Sequence, residues 1–91
     1  MKIDATKTDY FICELENGEY YPLTIQYQGT GFQRTPEIKN AHRFKTESEA
    51  KQACTVQSMM NSMFGKTAEV FFFRIDETRT KFDKDGTESE I

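Results

Sequence analysis

The chain has 91 residues and a net charge of −3, from 12 basic and 15 acidic side chains. A chain this short forms one domain and hides only about 60–65% of its unfolded surface, so its stability is modest or is helped by self-association. The acidic balance disfavours a general DNA- or RNA-binding protein, which carries a basic excess. No apolar run approaches the roughly 20 residues of a membrane span. Residues 1–12 lack a signal-peptide core, so we expect a cytoplasmic protein without membrane contact.

Two strands joined by a tight turn are predicted first. Residues 9–15 alternate in a strand-like pattern, with Phe11, Cys13 and Leu15 on one side and Tyr10 and Ile12 on the other. Asn17-Gly18 indicates a two-residue hairpin, because both central positions of a type I′ turn need positive φ. The return strand is predicted over residues 19–28. Pro22 has no N–H to donate, which favours an edge position or a bulge for this strand.

The only long helix is predicted over residues 47–64, after a poorly patterned segment, 32–44, that has room for one short strand. Thr46 and Glu49 have the spacing of a capping box, which marks a helix start. Gly65 supplies the stop, since glycine readily adopts the left-handed conformation of a C-terminal cap. On a helical wheel the side expected to face the sheet carries Ala53, Val56, Met60, Met63 and Phe64.

The last strand is predicted over residues 68–78, a run rich in branched and aromatic side chains. One of its faces carries Phe71, Phe73 and Ile75, and the other Val70, Phe72 and Arg74. A strand that is apolar on both faces suits a central position, so we place it beside the first strand. Residues 82–91 have the composition of a disordered acidic tail. The sequence thus predicts an α+β domain over 1–81, in which an antiparallel sheet of three to four strands carries one helix on one face, in the order β-β-(β)-α-β.

A single helix covers only one face of such a sheet. The side chains expected on the uncovered face are Tyr10, Ile12, Tyr20, Val70 and Phe72. Exposed together, they would form an apolar patch of the kind that marks an interaction surface. This predicts a non-catalytic protein-interaction module, either a homodimer or a binder of a host factor. The alternative is that the 29–40 loop, the tail or long polar side chains shield the patch.

A second hypothesis is a nucleic-acid-binding accessory protein. Residues 34–51 hold five basic and three acidic side chains. The cations expected to contact phosphates are Arg34, Lys39, Arg43 and Lys45, with exposed tyrosines stacking on bases. The acidic total charge makes us favour a protein partner or self-association.

The chain lacks a recognisable catalytic or cofactor motif. Its single histidine, His42, has no metal-ligand spacing to Cys13 or Cys54. Without an export signal, both cysteines are expected to be reduced and buried. Gly29-Thr30-Gly31 is too short for a phosphate loop. We therefore expect no enzyme, no metal and no cofactor.

One ten-residue stretch resembles a recurrent pattern. It reads Ala41-His42-Arg43-Phe44-Lys45-Thr46-Glu47-Ser48-Glu49-Ala50, an A-x-x-F-x-[ST]-x-x-E-A element between a hairpin and a helix. The pattern is similar to that of small, mostly uncharacterised proteins of phages and prophages of Gram-positive bacteria. The resemblance extends over residues 9–77 and implies a cytoplasmic β-β-α-β protein. It transfers no functional residue.

Overall fold

A computed structural model describes residues 1–26 and 31–91 of the chain. Its main elements are strands β1 (Thr6–Glu16), β2 (Glu19–Ile25) and β3 (Phe32–Arg34), a 3-10 turn (Ile38–Asn40), helix α1 (Glu47–Met63) and strand β4 (Glu69–Thr78). A short hairpin of β5 (Lys81–Phe82) and β6 (Glu88–Ser89) follows. The four longer strands form an antiparallel sheet in the order β3-β2-β1-β4. The predicted α+β class and element order are confirmed, while positions 27 and 28 of the predicted second strand lie outside the described residues.

The local signals at the turn and the helix ends have the expected geometry. Asn17 and Gly18 both have positive φ, 52° and 81°, as a type I′ turn requires. The Thr46 hydroxyl accepts a hydrogen bond of 3.2 Å from the Glu49 backbone N–H at the start of α1. Gly65 has a φ of 71° just after the helix. These contacts are short-range, so the adjacent residues are enough to specify them.

Strand β4 lies beside β1, as predicted, but it is an edge strand and not a central one. The pairing runs over ten positions, from Leu15 opposite Glu69 to Thr6 opposite Thr78. The apolar character of both β4 faces comes from layers above and below the strand, since side chains from each face pack into a separate cluster. A strand that is apolar on both faces need not have a neighbour on both edges.

Pro22 is predicted to favour an edge position or a bulge in this part of the strand. In the sheet order β2 lies between β3 and β1, but residues 19–22 pair with β1 and residues 23–25 with β3. Strand β2 changes partners at this residue. Its pairing with β1 ends at Pro22 opposite Cys13, and its pairing with β3 begins at Leu23. The break between the two ladders falls where the N–H is missing, so the proline is accommodated inside the sheet.

The segment just before α1 fills the gap that this change of partner opens. Phe44 and Tyr10 exchange two backbone hydrogen bonds of 2.8 and 2.9 Å, and the His42 N–H donates to the Leu23 carbonyl at 3.0 Å. Residues 41–44 are thus held between β1 and the second half of β2. The short strand predicted within 32–44 corresponds to β3 and this isolated bridge.

The prediction of a disordered tail from residue 82 is also wrong. Residues 81–89 form the β5–β6 hairpin, in which the Asp83 carboxylate accepts hydrogen bonds from the backbone N–H groups of Asp85 (2.9 Å) and Thr87 (3.0 Å). Gly86 takes a φ of 85° in the turn. An aspartate that caps its own turn, followed by a glycine, is a hairpin signal that outweighs the acidic composition.

Candidate protein-binding surfaces

Helix α1 covers the face of the sheet that we had predicted to be open. The core under the helix consists of Ile12, Leu23, Phe44 and Ala50, and Tyr10, Val70 and Phe72 pack against it. Ile12 is 0% exposed. Of the five side chains predicted to form the docking surface, Tyr10, Ile12, Val70 and Phe72 therefore lie under the helix, and only Tyr20 faces the uncovered side. The face assignment from the sequence was wrong.

The cause is a buried polar cluster between the helix and the sheet. Glu14, only 3% exposed, shares the helix-covered face with Ile12, and its carboxylate accepts hydrogen bonds from Asn61 Nδ2 at 2.6 Å and Arg34 Nε at 2.9 Å. Gln57 Nε2 donates to Asn61 Oδ1 at 3.0 Å. A buried carboxylate is costly without such partners. The helix is therefore rotated so that Gln57 and Asn61 face β1, and Ala50 lies on the same buried side.

This rotation leaves the apolar side of α1 in solvent, against the prediction that it would face the sheet. The exposed apolar stripe consists of Val56, Met59, Met60, Met63 and Phe64, whose exposed fractions range from 36% to 78%. Of the residues predicted to be buried, only Ala53 packs on the core. We call this set the helix stripe. Contiguous exposed apolar sets are uncommon on monomers and are typical of association sites.

The opposite, uncovered face of the sheet carries an aromatic cluster. Phe11 stacks on Phe73 with ring centroids 5.4 Å apart and planes 16° from parallel. Tyr20 meets Phe73 edge-on at 5.4 Å and Phe71 at 6.3 Å. These separations are in the range of favourable aromatic pairs. Tyr20 is nevertheless 53% exposed, so the cluster presents an aromatic ring to solvent.

A groove of about 320 Å³ runs beside this cluster. We call it the aromatic groove. It is lined by Phe11, Cys13, Tyr20, Pro22, Pro36, Ile38 and Phe73. The segment that includes Pro36 and Ile38 shelters part of this face, and Ala41 joins Phe11 and Cys13 in a small second core. This segment shelters Phe11 and Cys13, which do not belong to the predicted patch, and it leaves the groove beside Tyr20 open.

Arg43 adds a positive charge next to the aromatic groove. Its guanidinium carbon lies 5.4 Å from the centroid of the Phe11 ring, and its Nη2 donates to the Ile38 carbonyl at 3.3 Å. Its Nη1 is buried and has no acceptor among the described residues. Because Nη1 is enclosed by the protein, only the partly exposed remainder of the guanidinium is open to a ligand.

The cations of the nucleic-acid hypothesis are largely engaged within the chain. Arg34 bonds the carboxylates of Glu14 and Glu16 at 2.9 and 3.1 Å, and the hydrogen bond to Glu14 raises the pKa of Arg34 above its ordinary value. Lys39 pairs with Glu37 at 3.0 Å. Arg43 lies over Phe11, and Lys45 is exposed. The local basic excess is therefore offset by carboxylates close to the cations.

The cysteines and the histidine have structural surroundings. Burial raises the pKa of the Cys13 thiol to about 11 and also raises that of Cys54, whose Sγ lies 3.2 Å from the Val70 carbonyl oxygen. A raised pKa keeps a thiol protonated and weakly nucleophilic. His42 packs edge-on against Phe44 at 4.7 Å. Within residues 1–26 and 31–91, no group of three or more His, Cys, Asp and Glu side chains could hold a metal ion.

Comparisons with known proteins give no match: no family model fits the chain, and no curated protein or solved structure matches it significantly. Among the helices of the described part of the chain, none is both long and apolar enough to cross a membrane. The proposals below therefore rest on the geometry of the chain itself.

Proposed function

We propose that this chain is a small protein-interaction module whose binding surface is the aromatic groove. The observation that supports this most is the half-exposed Tyr20 ring, held edge-on to Phe73 at the rim of an otherwise apolar groove. Tyrosines at the edge of apolar pockets are enriched at binding hot spots, because they bring a large contact area and one polar group. The module binds and does not catalyse.

The size of the groove favours a short segment over a second folded domain. A groove of about 320 Å³ is at the low end of the roughly 300–1,000 Å³ of ligand pockets. It accommodates one or two large side chains. A stable contact between two domains needs about 800 Å² from each partner, which is more than this half-sheltered face offers.

The positive charge of Arg43 beside the groove indicates which kind of residue the partner carries next to its apolar side chain. The guanidinium of Arg43 lies on the Phe11 ring, and the side chain is partly exposed beside the groove. A carboxylate on the bound segment pairs with this guanidinium in a charge-assisted hydrogen bond. The partner is therefore an extended peptide segment in which a large apolar or aromatic residue lies close to Asp or Glu.

A displayed library of random peptides tests this proposal. We expect enriched peptides to share an apolar or aromatic residue near an acidic one. Replacement of a groove wall, Tyr20→Ser or Ile38→Ser, should weaken their binding by about tenfold, since each substitution removes a hot-spot-sized contact. Binding is measured by fluorescence anisotropy of a labelled peptide, and circular dichroism verifies the fold.

Phe82→Ser is the matched control, because Phe82 is an exposed aromatic residue in β5 and does not line the groove. Arg43→Gln should reduce the preference for acidic peptides more than the preference for apolar ones. The proposal is overturned if no peptide family is enriched, or if Tyr20→Ser binds the enriched peptides as tightly as the unmodified chain does.

A further inference from the structure

The helix stripe lies on α1, on the side of the sheet opposite the aromatic groove. Its spacing is that of a coiled-coil seam. Steps of three and four residues connect Val56, Met59 and Met63 and continue back through Gln52 to Glu49. Lys66 lies beyond the helix end, after Gly65, whose φ is 71°. Apolar residues at this spacing form the contact line between two packed helices. The seam is apolar at its centre, with Glu49 near its N-terminal end and Lys66 in the segment that follows its C-terminal end.

We infer that the helix stripe pairs with the same stripe of a second copy of this chain, with the two helices antiparallel. In this arrangement Val56 lies opposite Met59 of the second copy, and Gln52 lies opposite Met63. The contact is isologous, because each copy contributes the same residues. Met59 and Met63 adapt their flexible side chains to the partner helix, as methionines at binding surfaces do.

Charge complementarity selects the second copy and its direction. Glu49, in the first turn, and Lys66, after the helix end, enter no ion pair within residues 1–26 and 31–91. The Lys66 N–H donates to the Asn61 carbonyl at 2.8 Å, which holds this residue at the C-terminal end of α1. An antiparallel pair brings the Glu49 end of each helix to the end of the other helix that Lys66 follows, whereas a parallel pair brings like charges together.

The available area is that of a weak, concentration-dependent dimer. With exposed fractions of 36–78%, the five side chains of the stripe offer roughly 500 Å² per copy. A pair that covers the whole stripe then buries about 1,000 Å², which is less than the roughly 1,200–2,000 Å² of stable interfaces and typical of weak, transient ones. An anionic lipid surface is a poorer occupant, because the helix begins with Glu47 and Glu49, whereas membrane-surface helices carry basic residues beside the apolar stripe.

Analytical ultracentrifugation over a range of concentrations tests the inference. We expect a monomer–dimer equilibrium. Met59→Glu should raise the dimer Kd by at least about tenfold, because it buries an unpaired charge at the seam. Ser58→Glu is the matched control: it adds the same charge to the neighbouring exposed position, which lies off the seam, and should leave the Kd unchanged.

A charge swap tests the antiparallel direction. Lys66→Glu should weaken the dimer about two- to fivefold, the effect of losing exposed ion pairs, and the double variant Glu49→Lys, Lys66→Glu should restore it. A purely structural role of either residue predicts no such restoration. The inference is overturned by a monomer at all concentrations, by a dimer that Met59→Glu leaves intact, or by a double variant no tighter than Lys66→Glu.

This inference and the proposed function can fail separately. Tyr20→Ser changes the aromatic groove and should leave the dimer Kd unchanged. Met59→Glu changes the helix stripe and should leave peptide binding unchanged. If the chain binds acidic-apolar peptides as a monomer, the proposed function is supported and the inference is overturned. If the chain dimerises without binding these peptides, the inference is supported and the proposed function is overturned.

Discussion

Asn61 on α1 donates a 2.6 Å hydrogen bond to the carboxylate of Glu14 on β1, across 47 positions of sequence. Both side chains are buried. This contact sets the rotation of the helix about its own axis, because a buried carboxylate needs its donors and an apolar side chain can remain in solvent at smaller cost. Both candidate surfaces follow from it: the helix stripe faces outward, and the other face of the sheet is left for the aromatic groove.

Asn61→Ala should lower the free energy of unfolding by about 1–3 kcal/mol, since it leaves a buried carboxylate oxygen without its donor. The measurement is urea denaturation followed by circular dichroism. Ser62→Ala is the control, because Ser62 is the adjacent helical residue and is exposed. If both variants unfold at the same urea concentration as the unmodified chain, Glu14 does not depend on Asn61 and our account of the helix rotation is wrong.

Cys13 should make stability depend on alkaline pH. Burial raises the pKa of its thiol from 9.0 to about 11, so the unfolded chain loses this proton at a lower pH than the folded chain does. The thiol's contribution to stability is complete below pH 9 and is lost as pH rises to about 11. Comparison with Cys13→Ala isolates this contribution from the lysines and tyrosines that titrate nearby.

The free energy of unfolding should therefore fall more steeply between pH 9 and 11 in the unmodified chain than in Cys13→Ala. Urea denaturation at each pH gives both slopes. Iodoacetamide labelling of the Cys54→Ala variant, which retains Cys13 alone, should be slow at pH 8. Equal slopes in the two proteins together with fast labelling would show that the Cys13 thiol is not shielded.

Nucleic-acid binding stays an alternative prediction with a direct test. Because Arg34 and Lys39 are paired with carboxylates, we expect single-stranded and duplex oligonucleotides to produce no mobility shift at low salt. A basic surface would instead give an affinity that falls as salt rises. A salt-sensitive shift that disappears in Lys45→Ala, but persists in the control Lys51→Ala, would favour the nucleic-acid alternative over the peptide groove.

Local features were predictable because their contacts are local. The Asn17-Gly18 turn, the Thr46 cap and the Gly65 stop each involve residues a few positions apart, and each has the predicted geometry. The pairing of β4 with β1 also followed from strand character. The β5–β6 hairpin was not predicted, because the acidic composition of residues 82–91 indicates disorder, whereas the turn residues Asp83 and Gly86 indicate a hairpin.

The choice of faces required the tertiary structure. Strand β1 is apolar on both sides, so alternation alone could not show which side the helix covers. The helical wheel of α1 predicts that its methionine-rich side faces the sheet, yet the helix buries Gln57 and Asn61. The signal that could have resolved this is Glu14, a carboxylate between the apolar residues Cys13 and Leu15 of β1, which needs amide and guanidinium donors from distant parts of the chain.

The sequence by itself determined the Asn17-Gly18 turn, the ends of the helix and the order of the main elements, because backbone geometry and capping depend on neighbouring residues. Only the tertiary structure decided the rotation of α1 and the face it covers. The physical reason is that satisfying a buried charge requires partners at long sequence separation, and here that requirement outweighs the burial of methionine side chains. Of the predicted docking residues, Tyr20 alone remains on the uncovered face, where it now borders the aromatic groove.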